Sequence, residues 1–261
     1  MKGRKKSAGG MLGGASALSK WSRCEDVIRA LPEGCEELRH ATTIITGPTT
    51  GIGVNTAMAL ASLGGRLVLA ARSEAKAEAL KAQIEASMSN PGPVSWIELD
   101  LRSLRSVAAF AQQFAKMSDA GGWPPLKCLV CNAGILNING RYQATADGFE
   151  ETFGVNHLGH FYLTRLLLPR LRDAAPSRVV YVSSGSHLGS FGTTDIENSD
   201  TLHRLAKPDE DTRRRFGHRE SYGAYCWSKL VRIPTFPPPE PPHDPMWRGC
   251  PLHGIFMTDM S

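Results

Sequence analysis

The chain is most informative at first for what it lacks. No stretch of its 261 residues approaches the roughly 20 consecutive apolar positions of a membrane-spanning helix, and the segment Met11 to Leu18 is too short and too rich in glycine. A membrane span is therefore not expected. Aromatic residues make up only 7% and are not interleaved with basic ones, so the stacking platforms of a single-strand nucleic-acid binder are missing and nucleic acid is not an expected partner. Cysteines are few and scattered at 24, 35, 128, 131, 226 and 250, with no secretory signal, which points to free thiols in a reducing compartment. The Cys128-x-x-Cys131 pair lies in an apolar run with no second Cys/His pair at zinc spacing, and residues three apart on a strand face opposite ways, so no metal site is expected.

Acidic residues are absent from positions 1–24, which hold six Lys/Arg among many Gly, Ala and Ser. Residues 1–40 read as a basic arm, disordered in part. The localisation expected is cytoplasmic, or a plastid or mitochondrion if that arm is a transit peptide. Lys2, Arg4, Lys5 and Lys6 supply four of the five net positive charges. The body is thus close to neutral, and any anionic ligand has to be met by a local site.

From Ala41 the hydrophobic pattern alternates in period. Strands are predicted over Thr42–Thr46, Arg66–Ala71, Val94–Leu99, Leu126–Asn132 and Arg178–Ser183. Helices are predicted over Gly51–Leu63, Glu74–Met88, Leu104–Met117 and Asp147–Ala174, the last broken near Gly154. Strands separated by helices imply a doubly wound parallel sheet of the α/β class. A polar span from Gly185 to Glu220 is too long for an ordinary connection; the helix carrying Tyr225 and Lys229 follows. Eight prolines between 234 and 251 then exclude a helix or central strand through that stretch.

The loop Thr46-Gly47-Pro48-Thr49-Thr50-Gly51-Ile52-Gly53 joins the first strand to the first helix. Glycines there allow close backbone approach, and a helix N-terminus offers free N–H groups and partial positive charge, so Gly47, Thr49, Thr50, Gly51, Ile52 and Gly53 are candidates for holding a pyrophosphate. Arg72 follows the second strand, where a carboxylate would bind ribose hydroxyls; a guanidinium instead suits a 2′-phosphate and predicts NADP(H). Asp100, at the end of the third strand, either accepts from an adenine amino group or caps the helix starting near Ser103. Tyr225 and Lys229, one helical turn apart, form a proton-transfer pair, because an ammonium beside a phenol favours the phenolate.

In this order, TGPTTGIG, Asp100-Leu101, Asn132-Ala133-Gly134, Asn156, Ser184 and Tyr225-x-x-x-Lys229 resemble the short-chain dehydrogenases/reductases. DGFEETFGVNHLGHFYLT and SRVVYVSS further resemble its retinol dehydrogenase-like and WW-domain oxidoreductase-like branch. The match covers about residues 41–232, the expected catalytic domain. It implies a Rossmann-type fold and a reaction interconverting a hydroxyl and a carbonyl on a small, lipophilic alcohol, aldehyde or ketone. It also implies that Lys229 bonds the nicotinamide ribose, Ser184 polarises the substrate oxygen and Asn156 holds a relay water. Leu101, Asn132, Ala133 and Gly134 border the cofactor. The partner implied is a small-molecule substrate, and no oligomeric state is read from the chain.

Three departures from the family stand out. Pro48 removes an N–H from the phosphate loop, Ser184 and Tyr225 lie 41 positions apart, and Pro-rich residues 233–261 replace the family's closing elements. The expectation is a truncated sheet of five strands whose fifth is an exposed edge. The alternative function is a catalytically inactive product that at most binds nucleotide or a partner.

Overall fold

The computed structural model describes residues 26–28, 32–189, 206–230 and 252–259. The basic arm before residue 26, the middle of the polar span at 190–205 and the proline cluster at 231–251 lie outside the described residues.

A short helix, α1 (Pro32–Arg39), precedes the first strand, inside the segment expected as an arm. Its Leu38 packs on the core. The body then alternates β1 (Thr42–Thr46), α2 (Ile52–Ala61), β2 (Arg66–Ala71), α3 (Glu74–Ser87), β3 (Val94–Glu98), α4 (Leu104–Ala120) and β4 (Leu126–Cys131). Next come α5 (Glu151–Phe153), a π-helical turn (Gly154–Leu158) and α6 (Gly159–Asp173), which run on as one interrupted helix. β5 (Ser177–Ser184), a 3₁₀ turn (Gly185–Gly189), α7 (Glu210–Arg214), α8 (His218–Leu230) and β6 (Leu252–Asp259) complete the described elements. The hydrophobic periodicity placed the five expected strands within a residue or two of these bounds. α3 and α4 begin where Ser73 and Ser103 accept from the backbone N–H groups of Lys76 and Ser106.

Every strand pair is parallel, in the order β3-β2-β1-β4-β5-β6. Six strands correct the expected five. The apolar run Ile255-Phe256-Met257 follows the last proline, so nothing prevents it from extending, and β6 pairs with β5 from Ser177–Leu252 to Ser184–Asp259. β5 is thus not the exposed edge anticipated.

The sheet buries a separate apolar layer on each face. On one, Ile44, Val68 and Leu129 meet Phe110 and Phe114 of α4 and Leu163, Leu167 and Leu171 of α6. On the other, Ile45, Leu67 and Leu69 meet Ala57 and Ala61 of α2 and Leu80 and Ile84 of α3. Cys131 belongs to the first layer and Cys128 to the second, as strand alternation requires. Burial pushes the Cys128 thiol up to about 12, away from the thiolate that redox or metal chemistry needs.

Candidate functional site

The chain order reverses between β1 and β4, and at such a switch point a crevice opens beyond the carboxyl ends of the strands. A cleft of about 730 Å³ lies there, within the range of ligand pockets. It is lined by Gly47, Thr49, Thr50, Gly51, Ile52, Arg72, Asp100, Leu101, Asn132, Ala133, Gly134, Tyr225 and Lys229. Of the sequence-predicted site residues only Gly53, Asn156 and Ser184 do not line it.

The floor of the cleft is a backbone clasp. Gly47 has a φ of +60°, and a Cβ there would sit 2.8 Å from that of Ala133; a Cβ on Gly53 would come within 2.4 Å of the Gly47 carbonyl. Glycine is therefore required at both positions by space, and at Gly47 also by conformation. Asn132 Nδ2 donates to the carbonyls of Thr46 (2.9 Å) and Gly47 (3.1 Å), and the Ala133 N–H donates to Thr46 Oγ1 (3.0 Å), tying the turn after β4 to the loop after β1. α2 starts at Gly51 with no side-chain cap and no acidic residue in its first turn. Its leading N–H groups remain to meet an anion, the donor set a pyrophosphate fits. Pro48 is buried and does not line the cleft, so the N–H it lacks is not taken from the lining.

Arg72 and Ser73 stand at the end of β2, with Lys76 one turn into α3, all lining the cleft. Asp100 is not the cap of α4, which is Ser103. Its Oδ1 accepts from the Arg102 N–H (3.0 Å) and Nε (3.3 Å), and its Oδ2 from Arg102 Nη2 (3.3 Å). Burial alone would raise the Asp100 carboxyl, but these bonds, with the charges of Arg102 and Arg72, hold it below the usual range. Arg102 also reaches Glu151 at 3.5 Å. Sequence reasoning missed Arg102, for which only its charge two positions after Asp100 was a signal.

At the far end, α8 presents Tyr225 to the cleft and buries Lys229, whose Nζ lies 5.5 Å from the Tyr225 ring centroid and donates to the Val182 carbonyl at 3.2 Å. Trp227, on the other side of the helix, packs against Phe153. Asn156, fully buried in the π-helical turn, accepts from the Ile135 N–H at 2.8 Å and donates to the Ile135 carbonyl at 3.0 Å and to Ser228 Oγ at 2.9 Å. A widened turn of this kind is costly and concentrates at functional sites. Gly134 separates Asn156 from Lys229: a Cβ there would lie 3.3 Å from Lys229 Nζ and 3.4 Å from Asn156 Oδ1.

The two serines ending β5 divide. Ser183 Oγ donates to the Lys229 carbonyl at 2.8 Å and so supports α8, while Ser184 Oγ accepts from the Ser186 N–H at 3.2 Å. Sequence analysis did not anticipate roles for Ser228, Thr46 or His160.

Glu150 is the N-cap of the helix bearing Asn156; it is buried, and its carboxylate accepts from the N–H groups of Thr152 (3.0 Å) and Phe153 (2.7 Å). Burial raises its carboxyl above the usual range, against those bonds. Among the described residues no group of three His, Cys, Asp or Glu could hold a metal ion, and no helix is long and apolar enough to cross a membrane.

A doubly wound sheet with a glycine loop at its switch point and a Tyr-Lys helix beside it defines a nucleotide-cleft α/β protein. A model of the family "short chain dehydrogenase" matches residues 41–193, more than half of the chain. Human retinol dehydrogenase 12 is 39% identical over 199 residues, covering 76% of this chain and 55% of that protein. Human retinol dehydrogenase 14 is 41% identical over 208 residues, covering 74% and 60%. A crystal structure of an uncharacterized protein from Mycobacterium paratuberculosis superposes with a TM-score of 0.58 at 33% identity, over 84% of this chain and 67% of that one. A metagenomic short-chain oxidoreductase solved in complex with NADP shares the fold, with a TM-score of 0.57 at 21% identity over 86% and 84% of the two chains. The chain belongs to the short-chain dehydrogenase family, and within it is similar to retinol dehydrogenases. It spans about half the length of the curated relatives it matches.

Proposed function

We propose that the protein is an NADP(H)-dependent oxidoreductase that interconverts a hydroxyl and a carbonyl on a lipophilic alcohol, aldehyde or ketone. The observation that carries this reading is that Tyr225 and Lys229 line the same cleft as the uncapped start of α2. Gly47, Thr49, Thr50, Gly51 and Ile52 would hold the pyrophosphate, with Arg72 toward a 2′-phosphate and Asp100 and Leu101 toward the adenine. The nicotinamide, when bound, supplies or accepts the hydride.

The chain's own part is the proton and the orientation. Tyr225 passes a proton to or from the substrate oxygen, with the buried Lys229 Nζ 5.5 Å from its ring centroid as the neighbouring hydrogen-bond donor. Ser184 Oγ accepts from the Ser186 N–H, which leaves its own O–H to donate, and from the end of β5 it would polarise the substrate oxygen. Asn156 commits both Nδ2 hydrogens to Ile135 and Ser228 and one Oδ1 lone pair to the Ile135 N–H, so a relay water here would meet Oδ1 or a backbone group. Leu136 and Ile138 line the cleft at 41% and 72% exposure, apolar surface that supports a lipophilic substrate.

The test is a thermal melt of the full chain with NADPH and with NADH, followed by NADPH oxidation against apolar aldehydes and ketones. Stabilisation greater with NADPH, together with turnover, is expected. Stabilisation without turnover on any carbonyl would leave the alternative of nucleotide binding alone, and stabilisation by neither cofactor would refute the assignment.

A further inference from the structure

His160 has no place in the chemistry above, yet it is fully buried between the cofactor-side loop and the Asn156 turn. An imidazole withdrawn from water needs partners for its nitrogens, whereas leucine would fill the same layer without that requirement. Both nitrogens are engaged: Nε2 lies 2.8 Å from Thr46 Oγ1 and Nδ1 lies 3.1 Å from the Asn156 carbonyl. A carbonyl only accepts, so Nδ1 carries the proton and Nε2 accepts from the Thr46 hydroxyl. A second acceptor for that hydroxyl, the Val130 carbonyl, is more distant at 3.4 Å. Thr46 Oγ1 in turn accepts from the Ala133 N–H at 3.0 Å.

We propose that His160 is a positioning residue: one buried hydrogen-bond chain, Ala133 to Thr46 to His160 to Asn156, couples the backbone of the cofactor clasp to the turn that sets Asn156. The inference rests on the oxidoreductase reading only for its consequence in turnover. Thr46 is the last residue of β1, immediately before Gly47, and Asn132 bonds the Thr46 and Gly47 carbonyls. A shift at either end of the chain is therefore passed to the other through the buried imidazole. Asn156 Oδ1 accepts from Ile135, so the Ile135 amide reports on the Asn156 end and the Ala133 amide on the clasp end.

Amide hydrogen exchange on the full chain tests the coupling without requiring catalysis. His160→Leu is expected to speed exchange at Ala133 and Ile135 by about tenfold while Val107 and Phe110 of α4 change by less than about twofold, and His160→Gln, which keeps a donor and an acceptor, restores most of the protection. Thr46→Val cuts the other link and is expected to loosen Ile135 as well, which keeps the proposal testable if His160→Leu does not fold. With a reducible carbonyl substrate, His160→Leu lowers kcat by about tenfold, and His160→Gln recovers it. Unchanged exchange at Ile135 in folded His160→Leu or Thr46→Val, or loosening spread equally over α4, overturns the proposal. The exchange pattern in a wild-type protein without turnover would support the coupling while refuting the oxidoreductase reading.

Discussion

Asn156 and Ser228 are joined across the site: Asn156 Nδ2 donates to Ser228 Oγ at 2.9 Å, and that hydroxyl donates to the Tyr225 carbonyl at 2.7 Å. The helix that presents Tyr225 and Lys229 is thereby fixed to the turn that carries Asn156. Ser228→Ala leaves one buried Asn156 N–H without this partner. The expected cost is about 1–3 kcal/mol of stability, with a fall in kcat larger than the change in NADPH affinity. Chemical unfolding and steady-state kinetics of the variant check both.

Glu150 yields a pH prediction whose sign follows from its environment. Burial raises its folded carboxyl above the unfolded value, so its protonated form is favoured by folding. The contribution is fully present below the unfolded pKa and is lost as pH rises through the higher folded one. Glu150→Gln removes the charge and keeps one acceptor for the N–H groups of Thr152 and Phe153. Relative to this variant, the wild type is expected to gain stability as the pH is lowered through the folded value. Glu150→Ala, which removes the cap altogether, is expected to cost about 1–2 kcal/mol near neutrality. Melting curves of the three proteins across acid to neutral pH decide it.

Arg72 is exposed at the cleft, so its replacement is expected to leave stability within about 0.5 kcal/mol. If it meets a 2′-phosphate, Arg72→Ala weakens NADPH by about tenfold or more and NADH little, since a charge-assisted bond contributes about 1.5–3 kcal/mol. Titration calorimetry with both cofactors measures the ratio. Equal losses for the two would remove Arg72 from the cofactor assignment.

The alternation of periods made β1 to β5 legible because the central strands β1, β2 and β4 bury both faces as continuous apolar or β-branched runs, while the intervening helices bury one face each. The glycine loop and the Tyr225/Lys229 spacing were legible because their physical requirements are local: Gly47 and Gly53 have no room for a Cβ, and a helix turn aligns i with i+4. β6 was not legible, since eight prolines dominate the composition before it while the pairing with β5 depends on where the chain returns in space. The roles of His160, Ser228 and Thr46 were equally hidden, because their partners lie 114, 72 and 87 positions away in sequence. Asp100 is a different case: the alternative of a helix cap was settled only by Ser103 and Arg102 taking the neighbouring groups.

Tyr225 is the proposed proton donor of a nicotinamide-dependent reaction, and Tyr225→Phe isolates that role. The ring packing and Lys229 are retained while the exchangeable proton is removed. Parallel NADPH-dependent melts and NADPH oxidation rates with a reducible apolar carbonyl should show an unchanged cofactor-induced stabilisation and a kcat reduced by about 100-fold or more. A Tyr225→Phe protein that binds NADPH and turns over at the wild-type rate would refute that role.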